Sequence, residues 1–464
     1  MASAISQYRY NDRMKLFADK EFYKKFLTIA IPVTMQNFLS SSLNLTNNIL
    51  VGQLGDNSVA AVGLANQVFF ILNVILLGIG GGVAVYISQF WGSEKLDPVK
   101  KIVSLSLLVT LAAAIVFFIP SFIFPKFMLS LFSNDATVIA LGSEYLRPVS
   151  LSFLLMAPSI CFSSALRSTG NVRLPLFTNF ISIIVNTFLN FVLIFGKLGF
   201  PAMGVAGSAT ATVIARLTEI TILIMVIYSG NLSVAVKLRD VIHIPTDLIK
   251  RFFNTSGELI TKDVIWAVGT SIYMVIYARM STEAVASMNI ISTIRNLAYV
   301  FFNGISNACL IMVGNRIGAN DNETAYKYAG KFLKISLVVA AVIGTLLILA
   351  RPLALSPYKV SQTVLDSAYD LLLVSAILMP ATSYASVAIV GALRSGGDIR
   401  YTIFVDLIAV WGIGLPLAWL GGMILHLDIV WVFLMVSLQE VFKAIFCYRR
   451  YRSGKWINNI VRGI

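Results

Sequence analysis

Two acidic residues, Asp263 and Asp406, stand within long apolar stretches of the sequence. Asp263 is followed at helical spacing by Trp266 and Thr270, which predicts that the three side chains share one helix face. A carboxylate in apolar surroundings is costly to bury, and it is by default a functional candidate. Both acids are therefore candidate functional residues, and for Asp406 the alternative is a structural role at the inner end of its helix.

Two basic residues, Lys262 and Arg295, lie in the same part of the chain. Lys262 either pairs with Glu258 four residues earlier or contacts an anionic group in a cleft. A pair with the adjacent Asp263 is not expected, because neighbours on a helix point about 100° apart. A buried arginine has a carboxylate or carbonyl partner, so Arg295 is expected to pair with Asp263 or Asp406.

The composition indicates that most of the chain lies in a membrane. Of the 464 residues, 57% are hydrophobic and 12% are charged, whereas soluble domains have about a quarter of their residues charged. Nearly charge-free runs recur along the chain, for example at residues 102–124, 181–195 and 335–350. Dividing the chain at its polar breaks predicts about twelve membrane-spanning helices, and thus an all-α polytopic protein of the cell membrane.

The net charge of +14 is distributed in a pattern typical of membrane proteins. If the N-terminus is cytoplasmic, most Lys and Arg residues fall in cytoplasmic loops, and an even number of spans places both termini there. The basic C-terminal tail contains Trp456 and resembles an RNA-binding patch in composition. We interpret it as an anchor at anionic lipid, so the expected partner is the bilayer and not a nucleic acid.

The chain contains an internal repeat. Residues 58–92 align with 284–318 at a shift of 226, and residues 164–173 align with 391–400 at a shift of 227. A repeat of this length predicts two six-helix lobes in the same orientation, related by a pseudo-two-fold axis along the membrane normal. The predicted boundaries are an N-terminal lobe at 1–229, a cytoplasmic inter-lobe linker at 230–251 and a C-terminal lobe with its tail at 252–464.

The two copies differ in charge at the candidate positions. Lys262, Asp263 and Asp406 correspond in the other copy to Gln36, Asn37 and Asn179. The repeat therefore predicts a largely uncharged N-terminal lobe and a C-terminal lobe that carries the ionisable chemistry. The predicted substrate cleft between the lobes contains Lys262, Trp266, Thr270, Arg295, Asn37 and Gln36.

The order and spacing of three segments resemble a known family. Residues 32–67, 166–216 and 393–419 are similar to the first two, the fifth and sixth, and the eleventh helices of multidrug and toxic compound extrusion (MATE) transporters of bacterial type. The resemblance covers roughly residues 20–450. It implies a twelve-helix, two-lobed antiporter that exports drugs or metabolites in exchange for inward flow of protons or sodium ions.

The resemblance also implies acids at two positions where this chain has amides. Asn47 in the first helix and Asn190 in the fifth match acids of proton-coupled relatives, with Asn44 and Asn186 nearby. An amide forms hydrogen bonds but does not titrate near neutral pH. These four residues are either a polar ligand site or a helix-packing cluster. In sodium-coupled relatives an acid lies near the position of Asp263. The resemblance therefore implies Asp263 and Asp406 as candidates for cation coupling and Asp263 as a candidate sodium ligand.

The predicted function is a secondary-active efflux antiporter for small amphipathic organic molecules, driven by a proton or sodium gradient. Its cleft would open alternately to the two sides of the membrane. The alternatives are a lipid-linked oligosaccharide flippase of the same superfamily and, less favoured, a channel. No nucleotide motif, catalytic triad or metal-ligand spacing is visible, so we expect neither enzymatic activity nor a cofactor. We expect a monomer, because nothing in the sequence requires a partner subunit.

Overall fold

The computed structural model describes residues 19–237, 239–240, 244–358 and 360–462. Much of the basic N-terminal arm lies outside the described residues. The regular elements of the first half are α1 Lys20–Gly52, α2 Asp56–Gly92, α3 Leu96–Ile123, α4 Pro125–Ser130, α5 Ala136–Val149, α6 Leu151–Ser168, α7 Arg173–Phe195 and α8 Gly204–Ser229.

The second half continues with α9 Thr246–Met280, α10 Thr282–Gly318, α11 Asn322–Leu355 and α12 Gln362–Ser386, which runs on as a π-helix, Val387–Leu393. The eleventh span is a composite of α13 Ile399–Leu407, a π-helix Ile408–Gly414, α14 Leu415–Trp419 and a second π-helix Leu420–Ile424. It is followed by α15 Ile429–Ser453. α9 begins inside the segment that the sequence predicts as a linker.

The helices are long enough to cross a bilayer twelve times. Eleven helical runs in the described residues have the length and the apolar composition of membrane spans. α1 adds a further run of 33 residues, which rises about 50 Å at 1.5 Å per residue. This exceeds the hydrocarbon core of about 30 Å.

Two apolar clusters contain residues from both halves of the molecule. The largest apolar cluster belongs to α2–α8, but it also includes Leu248 and Phe252 from the start of α9. A second cluster attaches the start of α1 to α10 and α11, where the rings of Phe22 and Phe26 lie 5.1 and 5.5 Å from that of Phe332. Each lobe therefore packs one end of a helix against the other lobe.

The closest approach between the halves is a symmetric seam between α2 and α10. A Cβ atom on Gly92 would collide with the carbonyl oxygen of Asn315, and one on Gly318 would collide with that of Gln89. Because Gly92 and Gln89 are the repeat counterparts of Gly318 and Asn315, the two contacts are related by the pseudo-two-fold axis. Small residues let the two backbones touch, as in other membrane helix pairs. We call this region the packed end.

Beyond the packed end, side chains of α9 and α1 become exposed. On α9, Ser256 and Ile260 contact glycines of α2, whereas Val264 and Trp266 further along are 42% and 46% exposed. α1 shows the same change, from the buried Val33 to the exposed Met35 and Phe38. We call the space between these farther halves of α1, α2, α9 and α10 the cleft.

The C-terminal tail does not fit the predicted lipid anchor. Trp456 is fully buried, and its indole nitrogen donates to the backbone oxygen of Tyr451 at 3.1 Å. Val461 is also buried, in the apolar cluster of α2–α8. The interleaving of aromatic and basic residues suggested an interface with lipid, but the aromatic side chain serves as a core residue of the protein.

Candidate functional site

Five charged side chains from three helices form a row of alternating sign. The Lys262 ammonium on α9 lies 3.0 Å from Asp263 Oδ1 and 3.6 Å from Asp406 Oδ2 on α13. The Lys443 ammonium on α15 lies 3.3 Å from the other oxygen of Asp406 and 3.2 Å from Glu440 Oε1. We call Asp263, Lys262, Asp406, Lys443 and Glu440 the charge row.

The row begins at a partly exposed carboxylate and continues into the protein. The side chain of Asp263 is 27% exposed, whereas those of Lys262, Asp406 and Lys443 are 6–9% exposed. Buried charges of this kind are tolerated only when they are paired, because the cost of removing an ion from water is several kcal/mol. Because its side chain is the most exposed, Asp263 is the member of the row that a ligand or ion can reach most easily.

The contacts of Lys262 correct both alternatives drawn from the sequence. Glu258 pairs instead with Arg400, whose Nε lies 2.7 Å from Glu258 Oε1. Lys262 does bond its neighbour Asp263, because its four-carbon stem is long enough to turn the ammonium back along the helix surface. It is buried against two carboxylates of the protein and does not project into the cleft.

Arg295 does not pair with Asp263 or Asp406, so the predicted ion pair is wrong. Its guanidinium donates to the Tyr299 hydroxyl at 2.9 Å and stands over the ring of Phe433 at 5.3 Å from the centroid. Arg295 and Glu440 line the same small cavity. A cation–π contact with two aromatic rings thus takes the place of the expected carboxylate.

The other residues predicted on the Asp263 face differ in exposure. Trp266 is 46% exposed and leaves an aromatic surface available beside Asp263. The Thr270 hydroxyl donates to the backbone oxygens of Trp266 and Ala267, both at 3.0 Å. Thr270 therefore satisfies its hydroxyl within its own helix.

The N-terminal lobe has an uncharged version of this site. Gln36, the counterpart of Lys262, accepts a hydrogen bond from Arg167 at 3.2 Å. Asn179, the counterpart of Asp406, accepts one from Ser40 at 3.4 Å. Asn37 is half-buried. The same helical positions in the two lobes therefore bring polar groups together, with formal charge on the acidic and lysine positions only in the C-terminal lobe.

Three of the four predicted asparagines form a connected group. Asn190 donates to Asn47 at 3.0 Å and to Asn186 at 2.8 Å, and Asn186 donates to Thr212 at 3.3 Å. Asn44 is exposed. Among the described side chains, the carbonyl oxygen of Asn190 has no hydrogen-bond partner, and the residue is fully buried.

Comparison with known proteins places the chain in a family. The MatE family model matches the chain twice, over residues 32–192 and 260–420. The chain belongs to the MATE family. The double match also coincides with the internal repeat, and it confirms the all-α, twelve-helix, two-lobed fold that the sequence predicts.

MATE relatives match along nearly the whole chain. An uncharacterized transporter, YisQ of Bacillus subtilis, is 30% identical over 96% of this chain and 97% of its own length. A probable multidrug resistance protein, NorM of Thermotoga maritima, is 22% identical over 94% of this chain and 93% of its own. A structure described as the outward-facing conformation of a multidrug resistance MATE transporter has a TM-score of 0.85 at 17% identity, over 93% of this chain and 96% of that one.

Two members of the charge row, Lys443 and Glu440, were not found from the sequence of this MATE protein. They stand near the basic tail in the segment QEVFKAIFCYRRYR, where a lysine is expected to face the lipid headgroups. The available signal was Glu440 with Lys443 at i,i+3 in a predicted span. A paired acid and base inside a membrane helix indicates an inward-facing position.

No metal centre is formed by the candidate acids in this part of the chain. The described residues contain no group of three or more His, Cys, Asp or Glu side chains arranged to hold a metal ion. Asp263 and Asp406 are instead bridged by the Lys262 ammonium.

Proposed function

We propose that this MATE protein is a secondary-active antiporter that exports small amphipathic organic molecules in exchange for protons or sodium ions. The observation that carries the proposal is the position of Asp263. It is the most exposed member of the charge row, and it lies on α9, whose first half contacts α2 near the packed end. Binding at Asp263 can therefore influence the contact between the lobes.

The coupling step requires Asp263 to change its partner. When a cation or a proton binds Asp263, its attraction for the Lys262 ammonium falls, and Lys262 can move closer to Asp406. A shift of this kind alters the packing of α9 on α13. Alternating access follows if the two arrangements of the row favour different separations of the lobes.

The packed end supports an orientation for the cycle. With both termini cytoplasmic, as the distribution of Lys and Arg predicts, the seam of Gly92 and Gly318 lies on the cytoplasmic side. The cleft then opens to the outside, where exported molecules are released. One chain supplies both lobes, which is consistent with a functional monomer.

The substrate class rests on the chemistry of the cleft and on the names of relatives. Trp266 offers an aromatic surface beside the partly exposed carboxylate of Asp263. Such a combination suits molecules with an apolar body and a polar group. The relatives from Thermotoga maritima and from Listeria monocytogenes are named as probable multidrug resistance proteins, which favours export of organic molecules over flipping of lipid-linked sugars.

The test is transport of a fluorescent amphipathic dye in proteoliposomes under proton and sodium gradients imposed separately. Asp263→Asn is expected to reduce gradient-driven export at least about tenfold under the gradient that drives the wild type, because an amide cannot take up a proton or balance a cation. If this variant exports as well as the wild type, Asp263 is not the coupling acid.

Glu258→Gln is the matched control. Glu258 is a carboxylate on the same helix, one turn earlier, and its partner is Arg400 rather than the charge row. We expect this variant to keep the ion dependence of the wild type. Equal losses in the two variants would assign the effect to α9 in general and not to Asp263.

A further inference from the structure

The charge row contains a cation that belongs to the protein itself. Lys262 Nζ lies within 4 Å of carboxylate oxygens from both Asp263 and Asp406. We propose that Lys262 is a tethered cation that fills the position between these acids, excludes sodium and restricts coupling to protons. This inference rests on the proposed antiport function and names its coupling ion.

The balance of charge within the row supports the proposal. Three carboxylates and two ammonium groups alternate, and the buried Arg394 guanidinium adds a third positive charge that interacts with Asp263 and Asp406, so the carboxylates are balanced without an added cation. Without Lys262, Asp263 would have lost its ammonium partner and Asp406 would keep only Lys443. Two carboxylates that shared one vacant position would attract a small cation, because like charges in a low-dielectric site repel strongly unless one is neutralised.

The N-terminal lobe shows that the scaffold does not require a lysine at this position. Its counterpart there is Gln36, next to Asn37 in place of Asp263. Gln36 is satisfied by a hydrogen bond from Arg167, and Arg394 stands at the corresponding position of the C-terminal lobe, where it interacts electrostatically with Asp263 and Asp406. The lysine is therefore associated with the acids rather than with the fold of the repeat.

The experiment measures sodium binding directly, without transport. Purified wild type and Lys262→Gln are unfolded thermally in detergent with sodium chloride or with choline chloride at equal ionic strength. A ligand that binds only the folded state raises the midpoint. We expect no sodium-specific shift for the wild type and a rise of about 3 °C or more for Lys262→Gln.

Matched variants make the result specific. Lys262→Arg keeps the positive charge and should show no sodium-specific shift, and Lys262→Gln combined with Asp263→Asn should lose the shift again. If the glutamine variant does not fold, Lys262→Met preserves the packing of the lysine stem. A wild type that is stabilised by sodium, or folded variants without Lys262 that are not, would overturn the proposal. Failure of dye export would instead contradict only the antiport function.

A second, independent inference concerns the C-terminal tail, residues 454–462. The tail leaves α15 at Gly454, buries Trp456 in the cluster of α10–α12, and then crosses to bury Val461 in the cluster of α2–α8. Its two buried apolar residues, Trp456 and Val461, thus lie in the cores of opposite lobes. The crossing takes place at the packed end.

Gln89 of α2 holds the tail at the point of crossing. Its amide nitrogen donates to the backbone oxygens of Ser395 at 2.7 Å and Asn458 at 3.1 Å, and its oxygen accepts from the Ile460 backbone at 2.9 Å. Asn459 adds bonds to Ile317 and Asn320 on the α10 side. The side chain of Gln89 is fully buried, and each of its polar atoms has a partner.

We infer that the tail is a latch that holds the packed end closed and must leave one lobe before that end can open. Separation of α2 from α10 would break the bonds of Gln89 and would expose Val461 or Trp456. A latch of this kind stabilises the state with the cleft open at the opposite end. Its removal shifts the population toward the state that is open at the packed end.

The test measures how fast one introduced cysteine near the packed end reacts in the parent and in tail variants. Ser256→Cys places a thiol at a buried position against Gly82, and its labelling by a water-soluble maleimide is measured above the background of the buried native cysteines Cys161, Cys309 and Cys447. Val461→Asp removes the apolar anchor in the N-terminal lobe and leaves Trp456 in place. We expect the labelling rate to rise about tenfold, since each 1.4 kcal/mol changes a population ratio tenfold.

Lys455→Ala, at an exposed position of the same tail, is the control and should leave the rate unchanged. Deletion of residues 454–464 should raise the rate at least as much as Val461→Asp. If a folded Val461→Asp protein labels at the rate of the parent, the tail does not hold the seam, and the inference is wrong. Comparison of the unfolding midpoint of each variant with that of the parent shows whether the variant remains folded.

Discussion

At the scale of single residues, Asp406 is the group on which the charge row depends for stability. It pairs with both buried lysines, with Oδ2 3.6 Å from the Lys262 ammonium and Oδ1 3.3 Å from the Lys443 ammonium. Asp406→Asn removes the charge shared by two ammonium groups that remain buried. Loss of one partner of a buried ion pair costs about 3–5 kcal/mol.

The expected order of stability is therefore wild type, then Asp263→Asn, then Asp406→Asn. Asp263 is partly exposed, and Lys262 retains Asp406 as its partner, so Asp263→Asn should cost about 1 kcal/mol or less. The measurement is the thermal unfolding midpoint of each purified variant in detergent. Equal midpoints for the two variants would show that Asp406 has no special structural role.

The acids were predictable at this scale, but their partners were not. An aspartate in an apolar stretch stands out in a sequence, because burial of a charge is costly wherever the helix points. The partner depends on the flexible stem of a lysine and on how three helices pack, which no local spacing encodes. Arg295 illustrates the same limit: its partners, Tyr299 and Phe433, are aromatic and one of them belongs to another helix.

At the scale of helices, small residues set how closely α2 approaches α10. Gly92→Ala should push the helices apart at the packed end, because a methyl group there collides with the Asn315 backbone. Gly63→Ala on the same helix is the control, since a Cβ atom at Gly63 has no heavy atom within 4 Å. Both changes favour the helical backbone by about 1 kcal/mol, so their difference reports packing alone.

We expect Gly92→Ala to unfold at a lower temperature than Gly63→Ala and to label faster at Ser256→Cys. The first measurement reports the stability of the fold, and the second reports opening of the seam. A Gly92→Ala protein that matches Gly63→Ala in both would mean that contact between α2 and α10 is not what closes the packed end.

The spans were predictable at this scale from length and composition, but their ends were not. Apolar runs require helices in a membrane, since each backbone polar group must be satisfied within the chain. The sequence does not reveal that α9 starts at Thr246 and packs its first turns on the other lobe, because Leu248 and Phe252 look like any apolar pair near a polar linker. The position of the tail was not predicted for a similar reason: the sequence around Trp456 does not show whether this side chain contacts lipid or protein.

At the scale of the whole molecule, the two lobes share a scaffold but not a chemistry. The pseudo-two-fold axis relates Gly92 to Gly318 at the seam and Arg167 to Arg394 near the two polar sites. The duplicated parts are those that make the lobes approach each other. The unduplicated parts are the charge row, which is the proposed coupling site, and the tail, which is the proposed latch of the packed end.

If the protein works by the proposed alternating access, the lobes must separate at the packed end in each transport cycle. Gly82 on α2 and Ser256 on α9 face each other near the packed end, with 3.4 Å between a Cβ atom built on Gly82 and the Cβ of Ser256. A disulfide needs about 3.5–4.5 Å between these atoms. Gly82→Cys with Ser256→Cys should therefore form a cross-link on mild oxidation.

The cross-linked protein is expected to lose dye export in proteoliposomes, and a reducing agent should restore it. Each single-cysteine variant, treated with the same oxidant, should transport as fast as it does under reducing conditions. This control separates the effect of the cross-link from oxidative damage. If fully cross-linked protein still exports, the packed end never opens, and the cleft must exchange its substrate with the cytoplasm by another route. Reversible loss would instead show that the contact between α2 and α9 must break in every transport cycle.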